Sequence, residues 1–340
     1  MSKKVFFFSL LLFSCSAVAQ TEFMAHINYL LLTDDTDSKS ESPPRPPLRD
    51  LISDIFFTIN SNTLGTNAES DRELYIVRNP DSDIFTRNPS VWTNDFAQSL
   101  TCVSSFNDPT GTSRDGLHVG TLITPRHVIA AAHTHMANGD VMSFVDVDNN
   151  VYERTVLTSY TVSVDLSVNL QQRPDVSVAV LDEELPAEIT PCLVPPANFD
   201  DYFIDPTSLS QGNIYPLLSL RVSNQQEAVV QLVSAVNGRG NGINIVTPFS
   251  GGNTPQSLAE YPHISQYCRP IYGPESGKPF ILLIEGRSVV LSVLRNAFAS
   301  TGIHHFIDEI NAVIRKVDSR LDADTGYVVN TVNLSNFKRY

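Results

Sequence analysis

Between residues 117 and 294 the chain is a succession of short β-rich runs, and this pattern restricts the fold more than any other feature of the sequence. The runs are Leu117–Ile123, Val128–Ala132, Val141–Val147, Val151–Tyr160, Val176–Leu181, Ala228–Val236, Ile243–Val246, Phe280–Ile284 and Ser288–Leu294. Turn formers separate them, as at Asn138-Gly139-Asp140 and Asp148-Asn149-Asn150. Branched side chains suit a pleated, half-buried surface, whereas Asn, Asp and Gly suit reversals. Short strands without long helical patterns between them predict an antiparallel barrel or sandwich. Only near the end does the period change: Phe306, Ile307, Ile310, Val313 and Ile314 recur at helical spacing over His304 to Val317. The β region therefore closes with a helix, which His304 and His305 begin.

The N-terminus reads as an address rather than as structure. Lys3 and Lys4 precede an apolar run from Val5 to Phe13, and Ala17-Val18-Ala19 is a small-residue cleavage pattern. The run is too short to span a bilayer, and no later stretch reaches the roughly 18 apolar residues a membrane helix needs. Cleavage near Ala19, leaving a secreted or periplasmic chain, is expected in preference to lipidation of Cys15. That cleavage removes both lysines and no acid, moving the net charge from −14 to −16. So acidic a chain lacks the basic field a phosphate backbone demands, which excludes nucleic acid as a partner, and no membrane partner is implied. With 42% hydrophobic residues, the chain is rich enough in apolar side chains to bury a core.

Residues 20–89 are acidic and broken by Asp34-Asp35-Thr36-Asp37 and by Ser42-Pro43-Pro44-Arg45-Pro46-Pro47, a composition that favours solvated, extended backbone. They are read as a linker or propeptide. Within them Leu51, Ile52, Ile55, Phe56 and Ile59 fall at helical spacing and predict a short amphipathic helix able to dock on the main domain. The domain itself is assigned to 90–317 and a tail to 318–340. Cys102, Cys192 and Cys268 remain after cleavage, so one disulfide and one buried thiol are expected.

Three short segments carry the chemistry. Gly120-Thr121-Leu122-Ile123-Thr124-Pro125-Arg126-His127-Val128-Ile129-Ala130-Ala131-Ala132-His133 is a strand, a Pro-led turn and a second strand whose small residues leave an imidazole at the strand end. Pro174-Asp175-Val176-Ser177-Val178-Ala179-Val180-Leu181 sets an acid immediately before an alternating strand. Gly273-Pro274-Glu275-Ser276-Gly277-Lys278-Pro279-Phe280 leads a serine into another strand. Together they resemble the histidine, aspartate and serine motifs of the trypsin/chymotrypsin-like serine peptidases. The order His, Asp, Ser is that of the family template, whose members stand about 45 and about 93 residues apart. Here the separations are 42 and 101.

The resemblance implies an all-β fold of two six-stranded antiparallel β-barrels with a C-terminal helix, the site lying in the crevice between them. It implies a serine endopeptidase acting on a protein or peptide substrate, with no cofactor and no metal. Ser276 would attack a carbonyl, His133 would take and return the proton, and Asp175 would hold the imidazole in the useful tautomer. Asp165 and Asp182 are alternatives to Asp175, with poorer positions on their strand. Oligomeric state is left open.

The motif departs from the family at four places. Pro274 stands where the family has a glycine N–H in the oxyanion hole, and proline has no N–H, so one donor beside Ser276 is missing, and only a shifted loop would bring the Gly273 N–H into its place. Loss of one such donor costs about 10²–10³ in turnover, which predicts weak or narrow activity. Glu275 replaces the aspartate that pairs with a newly cut N-terminus; either it finds an internal partner or the loop is not organised for catalysis. His118 and Thr134 occupy positions where many members carry a cysteine pair. Pro270 stands six residues before Ser276, where an acid sets trypsin-like specificity, so cleavage after Lys or Arg is not supported.

Other readings fare worse. A catalytically dead pseudopeptidase binding a partner through the same cleft is the alternative. His133-Thr134-His135, with His118, offers imidazoles for a metal but no ordered set of further ligands. An α/β-hydrolase needs G-x-S-x-G and the order Ser, acid, His, and neither is present.

Overall fold

The computed structural model describes residues 47–79, 82–105, 119–134, 136–163, 174–203, 214–221, 226–235, 242–246, 261–270, 275–296, 299–321 and 325–340. Leu48–Tyr340 is one compact unit. Strands are β1 Tyr75–Asn79, β2 Ile84–Arg87, β3 Thr121–Leu122, β4 His127–Ala130, β5 Val141–Val145, β6 Val151–Thr161, β7 Ser177–Leu181, β8 Ile214–Arg221, β9 Glu227–Ala235, β10 Gly242–Val246, β11 Pro279–Ile284, β12 Arg287–Asn296 and β13 Ala299–Gly302. The longer helices are α1 Leu51–Thr63 and α2 Ile307–Arg320.

The architecture is all-β with a C-terminal helix. Six strands close into a barrel in the order β10-β13-β12-β11-β8-β9. The preceding sheet has five strands, β3-β4-β7-β6-β5, among the described residues, where the sequence reading expects a second six-stranded barrel. Its edge is extended by one isolated bridge, Val103 to Thr121. Every ladder in both sheets is antiparallel. Successive strands can then be joined by short reversals, and the β11–β12 hairpin turns on Glu285 and Gly286, both at positive φ (50° and 73°). That mirror-type turn matches the right-handed twist of the flanking strands.

Two barrel strands, β8 and β13, escape the periodicity reading, and Pro216 explains the first. Proline cannot donate to a ladder and normally argues against an interior strand. Here β8 faces β9 along its whole length but meets β11 only at Leu218 and Ser219, so Pro216 lies beyond the second ladder. Ala299–Gly302 is only four residues long and carries one β-branched side chain, so its composition gives little strand signal.

Both helices form where apolar spacing predicts. In α1, Leu51, Ile55, Phe56 and Ile59 are buried and the helix packs on β8 and β11. Asp50 caps it, accepting a hydrogen bond from the Ser53 N–H at 2.8 Å. Helix α2 buries Ile310, Val313, Ile314 and Val317 against β6 and β7. Beyond it, Val329, Val332, Leu334 and Phe337 are buried in the same core, so the last residues pack rather than trail. Cys102, Cys192 and Cys268 are all buried free thiols, in place of the expected disulfide. A hydrogen bond with Cys192 and then burial push the Cys102 thiol well above the usual range.

His127, at the start of β4, is fully buried and joins this strand to α2. Its Nε2 lies 3.1 Å from Asp318 Oδ1 and its Nδ1 2.8 Å from Thr124 Oγ1. Burial pulls its pKa down; Asp318 pulls it up and Arg126 down, and the net shift is downward. A histidine whose folded pKa lies below its unfolded value of about 6.5 binds a proton more readily when unfolded. Its contribution to stability is therefore complete above about pH 6.5 and is lost as pH falls through that value toward the folded pKa. The thermal midpoint should decline on acidification from pH 7 to pH 5, and His127→Gln should flatten that decline relative to wild type. An identical pH profile in the variant would refute this account.

Candidate active site

The β4–β7 register sets Ala130 opposite Ser177. Continuing both chains past that pair brings the turn after β4 beside the residues preceding β7. The turn Ala132–Thr134 is a single 3-10 segment, and Ala130 and Ala131 beneath it are fully buried. Side chains this small let the chain reverse tightly, leaving the His133 side chain 46% exposed above a closed floor.

Asp175 grips His133 twice. Its Oδ2 lies 2.6 Å from Nδ1 of the imidazole, and its Oδ1 accepts the His133 backbone N–H at 3.0 Å. An ionised carboxylate only accepts, so the proton of the neutral ring sits on Nδ1 and Nε2 is left as the acceptor. The pair is fastened from the barrel side as well, because the Asp175 N–H donates to Thr301 Oγ1 of β13 at 3.3 Å. Asp182 is occupied elsewhere: its Oδ1 accepts from the backbone N–H groups of Thr155 and Glu183, each at 3.0 Å. It organises the far end of β7.

Ser276 is half-buried in a turn between Glu275 and β11. Gly277 N–H donates to Leu294 O at 2.9 Å, and Lys278 N–H to Glu275 O at 3.2 Å, which pins the turn to β12. Gly277 has φ +91°, and a Cβ there would stand 3.3 Å from Val119 O and 3.4 Å from Ala131 N. The serine turn thus rests on the backbone that leads into His133, two residues along. Gly273 and Pro274 lie outside the described residues, as do His118, His135 and Asp165. Pro270 is exposed.

Glu275 finds an internal partner. Its carboxylate is fully buried, 2.7 Å from Lys278 Nζ, which is fully buried too. Arg221 Nε of β8 approaches the other oxygen at 3.7 Å. From there charges alternate outward: Arg221 to Glu227 at 3.5 Å and Glu227 to Arg72 at 3.1 Å. Burial lowers the Lys278 pKa, and the adjacent Glu275 carboxylate opposes that shift. The sequence reading left the partner of Glu275 undetermined and did not single out Lys278, Arg221 or Thr301. The signal for Lys278 was present, since a lysine three residues after an acid at the mouth of an apolar strand has few other places to put its charge.

No family model matches the chain, and no curated protein matches its sequence. Among solved structures it is similar to human heparin binding protein, at 16% identity and a TM-score of 0.42, over 64% of this chain and 93% of that one. A mutant of human heparin binding protein matches with the same identity and coverage and a TM-score of 0.43.

Removing one member of a buried ion pair strands the other charge, which typically costs about 3–5 kcal/mol, whereas replacing both with apolar groups is often close to neutral. Lys278→Met should therefore lower unfolding free energy by about that amount in denaturant titrations, and Glu275→Leu combined with Lys278→Met should recover most of it. Equal losses in the single and double variants would show that the pair is not coupled.

Proposed function

We propose that the protein is an exported serine endopeptidase, with Ser276 as nucleophile, His133 as general base and acid, and Asp175 as the group that orients His133. The observation that carries this reading is the two-point hold of Asp175 on His133. A structural histidine needs only one partner, whereas a base must keep one nitrogen bare and aimed. Here the carboxylate takes both the ring N–H and the backbone N–H, so the imidazole is fixed in tautomer and in direction. The packing of Gly277 on Ala131, in the chain order His, Asp, Ser, supports the third member.

In this mechanism Ser276 Oγ attacks the peptide carbonyl carbon while its proton passes to His133 Nε2. The carbon–nitrogen bond then breaks as His133 returns that proton to the leaving amine, giving an acyl-enzyme. Water, deprotonated by the same nitrogen, releases the acyl group and restores Ser276. Charge on the carbonyl oxygen would be met by the Ser276 N–H, joined by the Gly273 N–H only where the loop shifts toward it. With Pro274 contributing none, turnover should fall about 10²–10³ below that of a site with a full set of donors. Lys278, paired with Glu275, supplies from within the chain the cation that would otherwise come from a newly cut N-terminus. Activity therefore needs no such cleavage. The apolar run behind Lys3 and Lys4, followed by Ala17-Val18-Ala19, supports export.

Fluorophosphonate labelling tests the proposal. Wild type should be labelled at Ser276, Ser276→Ala should not be labelled, and Asp175→Asn should react about 10⁴-fold more slowly through loss of the correct tautomer. Folded wild type that shows no Ser276-dependent labelling would overturn the peptidase reading in favour of a binding module built on the same cleft.

A further inference from the structure

Away from His133, the chain brings two histidines and a carboxylate to one point. His304 and His305 lie in the 3-10 turn Ile303–Phe306 that leads into α2, and Asp200 opens the short helical turn Asp200–Phe203 on the connection between the sheet and the barrel. His304 Nε2 is 3.0 Å from Asp200 Oδ1, and His305 Nε2 is 3.9 Å from Asp200 Oδ2. One ligand atom from each of the three residues falls within 4.8 Å of the others. We propose that Asp200, His304 and His305 form a binding site for a divalent transition-metal ion of the zinc type, which clamps the entry of α2 to the Asp200 turn.

A plain hydrogen-bonded His–Asp pair does not account for the arrangement. One histidine satisfies one carboxylate oxygen, yet a second imidazole stands 3.9 Å from the first, centroid to centroid, and faces the same carboxylate. One divalent ion can serve both rings and the carboxylate together. Gly302 makes room for the two rings, since a Cβ there would stand 3.2 Å from His304 Cε1 and 3.4 Å from His305 Cδ2. The edge of Phe199 backs the His304 ring, at 5.3 Å between centroids. His304 Nδ1 is buried and has no hydrogen-bond partner among the described residues.

Distances and exposure fit an open coordination shell. Zinc sits about 2.0–2.1 Å from imidazole nitrogen and about 2.0–2.2 Å from carboxylate oxygen, so tetrahedral ligands stand roughly 3.3–3.5 Å apart. The observed 3.0 and 3.9 Å bracket that spacing, and the half-exposed His305 and Asp200 side chains have room to close it. Water would fill the remaining positions on the exposed side. Two nitrogens and one oxygen suit zinc, nickel or copper and not calcium or magnesium, which take sets of oxygens. The site is joined by chain to the candidate active site, because Thr301, which holds the Asp175 N–H, precedes His304 by three residues.

Calorimetric titration of the metal-free folded chain with Zn²⁺, and with Ca²⁺ for comparison, tests the proposal. One zinc per chain should bind and raise the thermal midpoint, with no response to Ca²⁺. His305→Ala and Asp200→Asn, both at half-exposed positions and checked for native circular dichroism, should each weaken zinc binding at least tenfold. His133→Ala should leave zinc binding unchanged, and Co²⁺ substitution should give visible d–d absorption that His305→Ala abolishes. Absence of saturable one-to-one binding, unchanged affinity in both site variants, or loss confined to His133→Ala would overturn it. Because no readout requires hydrolysis, failure here and failure of the peptidase reading are distinguishable.

Discussion

Where Gly277 meets Val119 and Ala131, two backbones come together with no side chain between them. A Cβ at that point would be crowded against a carbonyl oxygen and an amide nitrogen, and the φ of +91° already disfavours other residues. This contact is the hinge of the whole arrangement. It belongs to the barrel on one side, through the bond to Leu294, and to the five-stranded sheet on the other, through the chain that becomes His133. With it, a serine on one sheet and an imidazole on the other share a neighbourhood. A larger residue would push the two apart by a few tenths of an ångström, besides being strained at that φ.

Beneath that contact the chain buries charge. Desolvating a carboxylate and an ammonium is expensive, and an apolar pair would serve stability as well or better. The geometry instead recovers the cost through a short charge-assisted bond and a relay of alternating charge through Arg221 and Glu227 to Arg72. Such a network has one low-energy arrangement, so it specifies the shape of the serine turn more sharply than apolar packing would. It also draws the N-terminal segment into the site's support, because Arg72 precedes β1 and its backbone carbonyl accepts from Ala228 of the barrel.

Several features were legible from residue order alone. The strand runs from Val128 to Leu181 and from Phe280 to Leu294 announced themselves through branched residues bounded by turn formers. The helices at Leu51 and Ile307 did so through apolar spacing, and the His133 and Asp175 segments through small residues or an acid at a strand end. Strand β8 was hidden because Pro216 is forbidden only where a ladder needs its N–H, and whether it does depends on how far β11 reaches. The cysteines misled for a similar reason: an oxidising compartment makes a bridge possible, but geometry decides whether two sulfurs are set for it, and here all three are thiols.

Local chemistry, carried by the sequence itself, determined that the chain forms short antiparallel strands, that a helix closes it, and that an imidazole and a carboxylate sit at strand ends. Each of those depends on residues within a few positions of one another, so it survives without knowledge of the fold. Only the tertiary structure decided that Asp175 holds both N–H groups of His133, that Arg221 of β8 reaches the Glu275 carboxylate, and that Asp200 stands beside His304 and His305. The last of these joins positions 104 residues apart. Such meetings are settled by strand register and by the closing of the barrel, which sum many weak preferences spread along the chain, so no single segment records them.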